Sequence, residues 1–148
     1  MGADLKSKYQ ACLKQNRIKK FSDGPKLVNK ELLAASRDLL TAKKGLEGGE
    51  WKWSTIQAYY SMFHVARALL FSRQFSERSH YCLRVALEYH FVGSGGFPSD
   101  LIDAFQIART MRENADYEEN YSDIGAKKLV AAAERFIEEA QKILKQSL

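Results

Sequence analysis

Apolar residues recur along the chain with the three- and four-residue steps of an α-helix, and turn residues divide that pattern into six stretches. The first runs roughly from Asp4 to Arg17. Asp23-Gly24-Pro25 then supplies a cap, a turn and a proline suited to a first helical turn, and Gly48-Gly49 closes the helix that follows. Within it Val28, Leu32, Ala35, Leu39, Ala42 and Leu46 make one apolar stripe. A third helix is expected from Glu50 to about Phe75, with Ile56, Tyr59, Phe63, Ala66 and Leu70 on one face and Met62, Val65 and Leu69 on another. Apolar on several sides, it should be central. Ser76 or Ser79 can cap a fourth helix through Phe91, which Gly93 to Gly96 ends. Pro98-Ser99-Asp100 starts the fifth, with the stripe Leu101, Ala104, Ala108, Met111 and Ala115, and Ser122-Asp123 opens the last. No stretch of useful length alternates with the period of a strand. Short connections between helices of this length imply antiparallel neighbours, so the fold expected is all-α, an up-and-down bundle of five to six helices forming one domain over residues 1–148.

Composition agrees with a globular chain: 45% of the 148 residues are apolar, 28% are charged and only two are proline, which excludes disorder and a Pro-rich linker. Cys12 and Cys82 lie far apart and belong to no C-x-x-C pair, so neither a disulfide framework nor a zinc knuckle is expected. The first ten residues carry charges where a signal peptide needs its apolar region, and no stretch approaches the roughly 20 apolar residues that span a bilayer. A reducing, cytoplasmic setting fits these features.

The net charge of +5 is local, because residues 1–30 hold eight Lys or Arg against Asp4 and Asp23. The run Lys14, Arg17, Lys19, Lys20 suits phosphates or an acidic partner, and equally a solvated helix end with a basic loop.

Three groups of residues offer chemistry. Tyr60, His64, Arg67 and Phe71 follow steps of four, three and four along the third helix and form a mixed polar and aromatic face, which reads either as a site or as core aromatics with one satisfied histidine. Arg109, Arg112 and Asp116, with Tyr117 beside them, align next to the fifth helix's apolar stripe. They suit a phosphate-binding face, or Arg112 and Asp116 form an ordinary intrahelical ion pair. His64, His80 and His90 contain no His-x-x-x-His pair and join no facial carboxylate set, so no metal is expected. With no P-loop, dinucleotide fingerprint or nucleophile elbow, no cofactor is expected either.

The order of an aliphatic helix ending in Gly-Gly, then Ala58-Tyr59-Tyr60-Ser61-Met62-Phe63-His64, Ala68-Leu69-Leu70, His80 and Arg112-x-x-Ala115-Asp116-Tyr117 resembles small prokaryotic HEPN-domain proteins from about Leu27 to Ile143. That resemblance implies a helical bundle that pairs as a homodimer, with a minimal nucleotidyltransferase as partner in a toxin-antitoxin-like module. It also implies, for many members, metal-independent ribonuclease activity carried by an arginine followed after four to six residues by a histidine. Here Arg112 takes the arginine position, but Tyr117, Glu118 and Glu119 fill the histidine window, and Asn114, Ala115 and Asp116 fill that of Arg109. Arg84 and His90 have the bare spacing, but they lie in another helix and diverge by about 240° around it. The departure favours a non-catalytic or weakly catalytic module binding a nucleotidyltransferase, a nucleotide or RNA through Arg109, Arg112, Asp116 and Tyr117. The alternative is a ribonuclease whose site is rebuilt from Arg112 with Tyr117, or with His80 from another helix.

Overall fold

The computed structural model describes residues 2–114 and 121–147, and over them the chain is an all-α bundle built around one apolar cluster. Its elements in order are α1 (Gly2–Lys14), β1 (Ile18–Lys20), α2 (Val28–Glu47), α3 (Trp51–Ser72), β2 (Phe75–Glu77), α4 (His80–Phe91), α5 (Ser99–Glu113) and α6 (Asp123–Ser147). α3 packs against α2, α4, α5 and α6. As expected it is the central helix: Ala58, Met62, Val65, Ala66, Leu69 and Leu70 are fully buried on it.

Several helix ends follow their local chemistry. α2 and α3 form a hairpin across Gly48 to Glu50, where Gly49 takes the left-handed φ of 74° that the reversal requires. Small residues let the two helices approach closely, and the buried Ser61 hydroxyl donates to the Ala35 carbonyl at 2.8 Å. Ser79 caps α4 by accepting from the Cys82 N–H at 3.1 Å. Ser122 accepts from the Gly125 N–H at 2.9 Å at the start of α6.

Three expectations are corrected. Asp23-Gly24-Pro25 does not open the α-helix directly: Gly24–Leu27 is a 3-10 turn, Asp23 makes no cap hydrogen bond, and α2 begins at Val28. Gly24 is there for space, since a β-carbon on it would stand 2.5 Å from the Phe71 carbonyl oxygen. The third helix stops at Ser72, short of Phe75, because Gln74 turns the chain at φ 65° and Phe75–Glu77 pairs antiparallel with Ile18–Lys20. A three-residue ribbon is too short to show a period, so its strands are hidden from pattern reading.

The third correction concerns sulfur. Cys12 and Cys82 form a disulfide with Cα atoms 5.8 Å apart, because α1 lies along α4. Sequence spacing carries no trace of that adjacency, which long-range packing creates. Both cysteines are almost fully buried. Tyr9 reinforces the dock: its hydroxyl hydrogen-bonds His90 Nε2 at 2.8 Å and its ring stacks on Tyr89 at 4.1 Å.

Two consequences are measurable. Gly24→Ala should lose about 1–3 kcal/mol, as overpacking against backbone does, read as a shift in the urea midpoint. Reducing the disulfide, or Cys12→Ala, should lower the melting temperature by about 5–15 °C, given the roughly 2–4 kcal/mol that cross-links of this kind contribute. An unchanged melting point would show that α1 is held without it.

Candidate functional site

The site grows from the part of α3 where polar tips leave the core. Tyr59 is buried and Tyr60 half-buried, and their rings meet edge to face at 5.3 Å. From α5, Arg112 reaches over both. Its Nε donates to the Tyr60 hydroxyl at 2.8 Å, and its guanidinium lies 5.9 Å from the Tyr59 ring centre and 5.3 Å from that of Tyr60. No described carboxylate pairs with Arg112. Arg112 lines a shallow cleft of about 490 Å³ together with Trp53, Ile56, Tyr60 and Glu113. Arg109, one turn earlier, pairs with Glu113 at 3.0 Å.

His80 arrives from the first turn of α4. Its Nδ1 shares a hydrogen bond of 3.2 Å with the Tyr59 hydroxyl, and its ring lies 4.6 Å from that of Phe105. Nε2 is buried without a partner among the described residues. Burial, then the charges of Arg109 and Arg84, push the His80 pKa down to about 4. Desolvation raises that of Tyr59, against the pull of Arg109 and Arg112. At neutral pH the face therefore holds Arg112, Arg109 in its ion pair with Glu113, the neutral imidazole of His80 and the neutral phenol of Tyr59. Such a set attracts anions, and its histidine is a weak base.

The structure thus brings Tyr60, Arg109, Arg112 and His80 together, but takes His64 and Arg67 elsewhere. His64 Nδ1 lies 3.1 Å from Glu31 and Nε2 lies 3.5 Å from Asp38, while Arg67 sits 3.9 Å from Glu31 and 3.4 Å from Glu77. The single face read along α3 splits in two, because α2 and β2 supply carboxylates to its later part. Burial raises the Asp38 and Glu77 carboxyls. This second cluster ties α2 and β2 to α3. Asp116 and Tyr117 lie outside the described residues.

Sequence reasoning missed the role of Tyr59, assigned to the core stripe, and of Trp53, exposed at the rim. The ion pair between Arg109 and Glu113 was visible in their four-residue spacing. Among the described residues no three His, Cys, Asp or Glu side chains could hold a metal ion, and no helix is long and apolar enough to cross a membrane.

Comparison with known proteins gives a consistent picture. The family model of the HEPN domain matches residues 28–145. A protein of Pyrococcus horikoshii named "UPF0332 protein" is 38% identical over 73 residues, covering 49% of this chain and 51% of the relative, so the match spans about half the length of that protein. A protein of Methanocaldococcus jannaschii named "Putative toxin" is 26% identical over 115 residues, covering 77% of this chain and 86% of the relative.

The electrostatics of His80 are directly measurable. Its imidazole should titrate by NMR with a midpoint near pH 4. Because the folded pKa lies below the unfolded value of about 6.5, the unfolded state binds the extra proton between the two. Stability associated with His80 is thus full above about pH 6.5 and is lost as pH falls toward 4. His80→Phe should flatten that part of the pH–stability curve, and a wild-type midpoint near 6.5 would show the ring to be solvated.

Proposed function

This chain belongs to the HEPN domain family, and from that premise we propose that it is a binding module that holds a phosphate-bearing ligand, a nucleotide or RNA, without cleaving it. The observation that carries this reading is Arg112: an oriented guanidinium, held by Tyr60 at 2.8 Å, with no described carboxylate to satisfy it. Trp53 adds an exposed ring on which a base can stack. Catalysis by the 2′-hydroxyl route needs a group that exchanges protons near pH 7, and His80 at about 4 is poorly matched to that task.

The family premise extends the proposal to a homodimer, to a minimal nucleotidyltransferase as partner, and to a toxin-antitoxin-like pair, which the name of the Methanocaldococcus relative supports. Leu33 and Leu40, each more than half exposed and seven residues apart on α2, offer an apolar line for such an association. A cytoplasmic setting is part of this family-based proposal, and the Cys12–Cys82 bond removes the support that unpaired cysteines gave it. A metal-independent ribonuclease is the second reading. It is favoured by one observation, the Nε2 of His80 near Arg109, which has no partner among the described residues.

The test compares wild type with Arg112→Ala by thermal unfolding, and by calorimetric titration with ATP, AMP and a short RNA. Arg112 is exposed, so unfolding should move by less than about 1 kcal/mol. Binding should weaken about 30-fold, as loss of a charged anchor costs about 2 kcal/mol. Binding unaffected by the substitution would reject the site. RNA turnover that disappears in Arg112→Ala would replace this proposal by the ribonuclease. Light scattering should give about twice the chain mass of 16.9 kDa, and a monomer would remove the dimer from the proposal.

A further inference from the structure

The short ribbon of β1 and β2 carries a charge arrangement that folding does not explain. Ile18 pairs with Glu77 and Lys19 with Ser76, so at the next register position Arg17 faces Arg78, joined by the Arg78 N–H to the Arg17 carbonyl at 2.8 Å. Alternation along the strand puts Arg17 and Lys19 on one face, opposite the face of the buried Ile18. Like charges directly across a ribbon destabilise it. Lys14 and Lys20 flank the group, and none of these five cations pairs with a described carboxylate. Nearby acids are already engaged: Asp4 with Lys8, Asp23 with Lys26 and Glu77 with Arg67.

The ribbon is held rigid. Asn16, at φ 59°, turns the chain out of α1 while the Arg17 N–H returns to the Cys12 carbonyl at 2.9 Å. The disulfide joins the helix before one strand to the helix after the other, through Cys12 before Arg17 and Cys82 after Arg78. Lys14 to Lys20 precede the segment matched by the family model, which begins at residue 28. The first strand of the ribbon therefore lies before the matched segment, and the second, with Arg78, lies within it.

We propose that this ribbon is a docking surface for a single-stranded polynucleotide, gripped through its phosphates by Arg17, Lys19 and Arg78. Alternate strand positions lie about 6.6 Å apart, and a flexible single strand can bring successive phosphates to that repeat. Tyr81, 45% exposed and three residues beyond Arg78, carries the Arg84 guanidinium 5.5 Å from its ring centre and offers its exposed part for a base to stack on. An acidic protein segment would match the cations but leave that ring unused. Arg78 stands two residues before His80, so a strand held on the ribbon leads toward the face around Arg112, although docking here does not depend on that face.

The experiment measures fluorescence anisotropy of a labelled oligouridylate of about twelve nucleotides with the full, disulfide-bonded chain, between about 50 and 200 mM salt. Wild type should bind with steep salt dependence. In the Arg17→Gln, Lys19→Gln, Arg78→Gln triple variant the slope of log affinity against log salt should fall by about 2, near 0.7 for each lost cation, and binding at low salt should drop tenfold or more. Its melting temperature should hold or rise, since a like-charge contact is removed. Arg112→Ala should keep the ribbon's salt slope even if the Arg112 face fails, which separates the two proposals. The same affinity in the triple variant, or no wild-type binding at about 50 mM salt, would overturn the assignment. So would polyglutamate competing as well as unlabelled oligouridylate, which would assign the surface to an acidic protein instead.

Discussion

Burial of α3 on nearly every side is the constraint from which the rest of the structure follows. A helix enclosed by four others can send few of its polar groups to water, and an unpartnered buried group costs about 1–3 kcal/mol, so most of its polar tips meet a partner at a fixed place, the Ser54 hydroxyl being one without a partner among the described residues. Ser61 finds the Ala35 carbonyl, Tyr59 finds His80, Tyr60 finds Arg112, and His64 and Arg67 find the carboxylates of α2 and β2. Each contact therefore both satisfies the core and fixes a neighbouring element against α3.

That economy shapes the candidate site. Tyr60 is half-buried and its hydroxyl accepts from the Arg112 Nε–H, so the guanidinium it holds is oriented at the edge of the cleft. Pre-orientation lowers the entropy lost when a ligand binds. The same packing that fixes His80 strips it of water and keeps it neutral. Binding capacity and weak basicity thus share one physical origin, the low-dielectric surroundings of Tyr59 and Phe105.

Much of the fold was legible in the sequence because helices advertise themselves locally. The stripes of α2 and α5, the Gly-Gly turn and the caps at Ser79 and Ser122 all lie within one or two turns of the residues they organise. The site was legible only in outline. Arg109 and Arg112 share a helix face that periodicity reveals, and the resemblance carried by Tyr59 to His64 and by Arg112 to Tyr117 pointed to the same region. The union of His80 with Tyr59, the diversion of His64 and Arg67 to Glu31, Asp38 and Glu77, and the bond between Cys12 and Cys82 depend on which helices neighbour each other. No window of the sequence contains that information.

If the enclosed α3 orients Arg112 through Tyr60, then the Arg112 Nε–H should give a distinct, slowly exchanging NMR resonance that shifts when a phosphate-bearing ligand is added. Tyr60→Phe removes the hydroxyl and leaves the ring packing intact. The resonance should then be lost to exchange with water and ligand affinity should fall, with little change in melting temperature. A resonance and an affinity that both survive Tyr60→Phe would contradict the account, because Arg112 would then owe its position to something other than the tip of a buried helix.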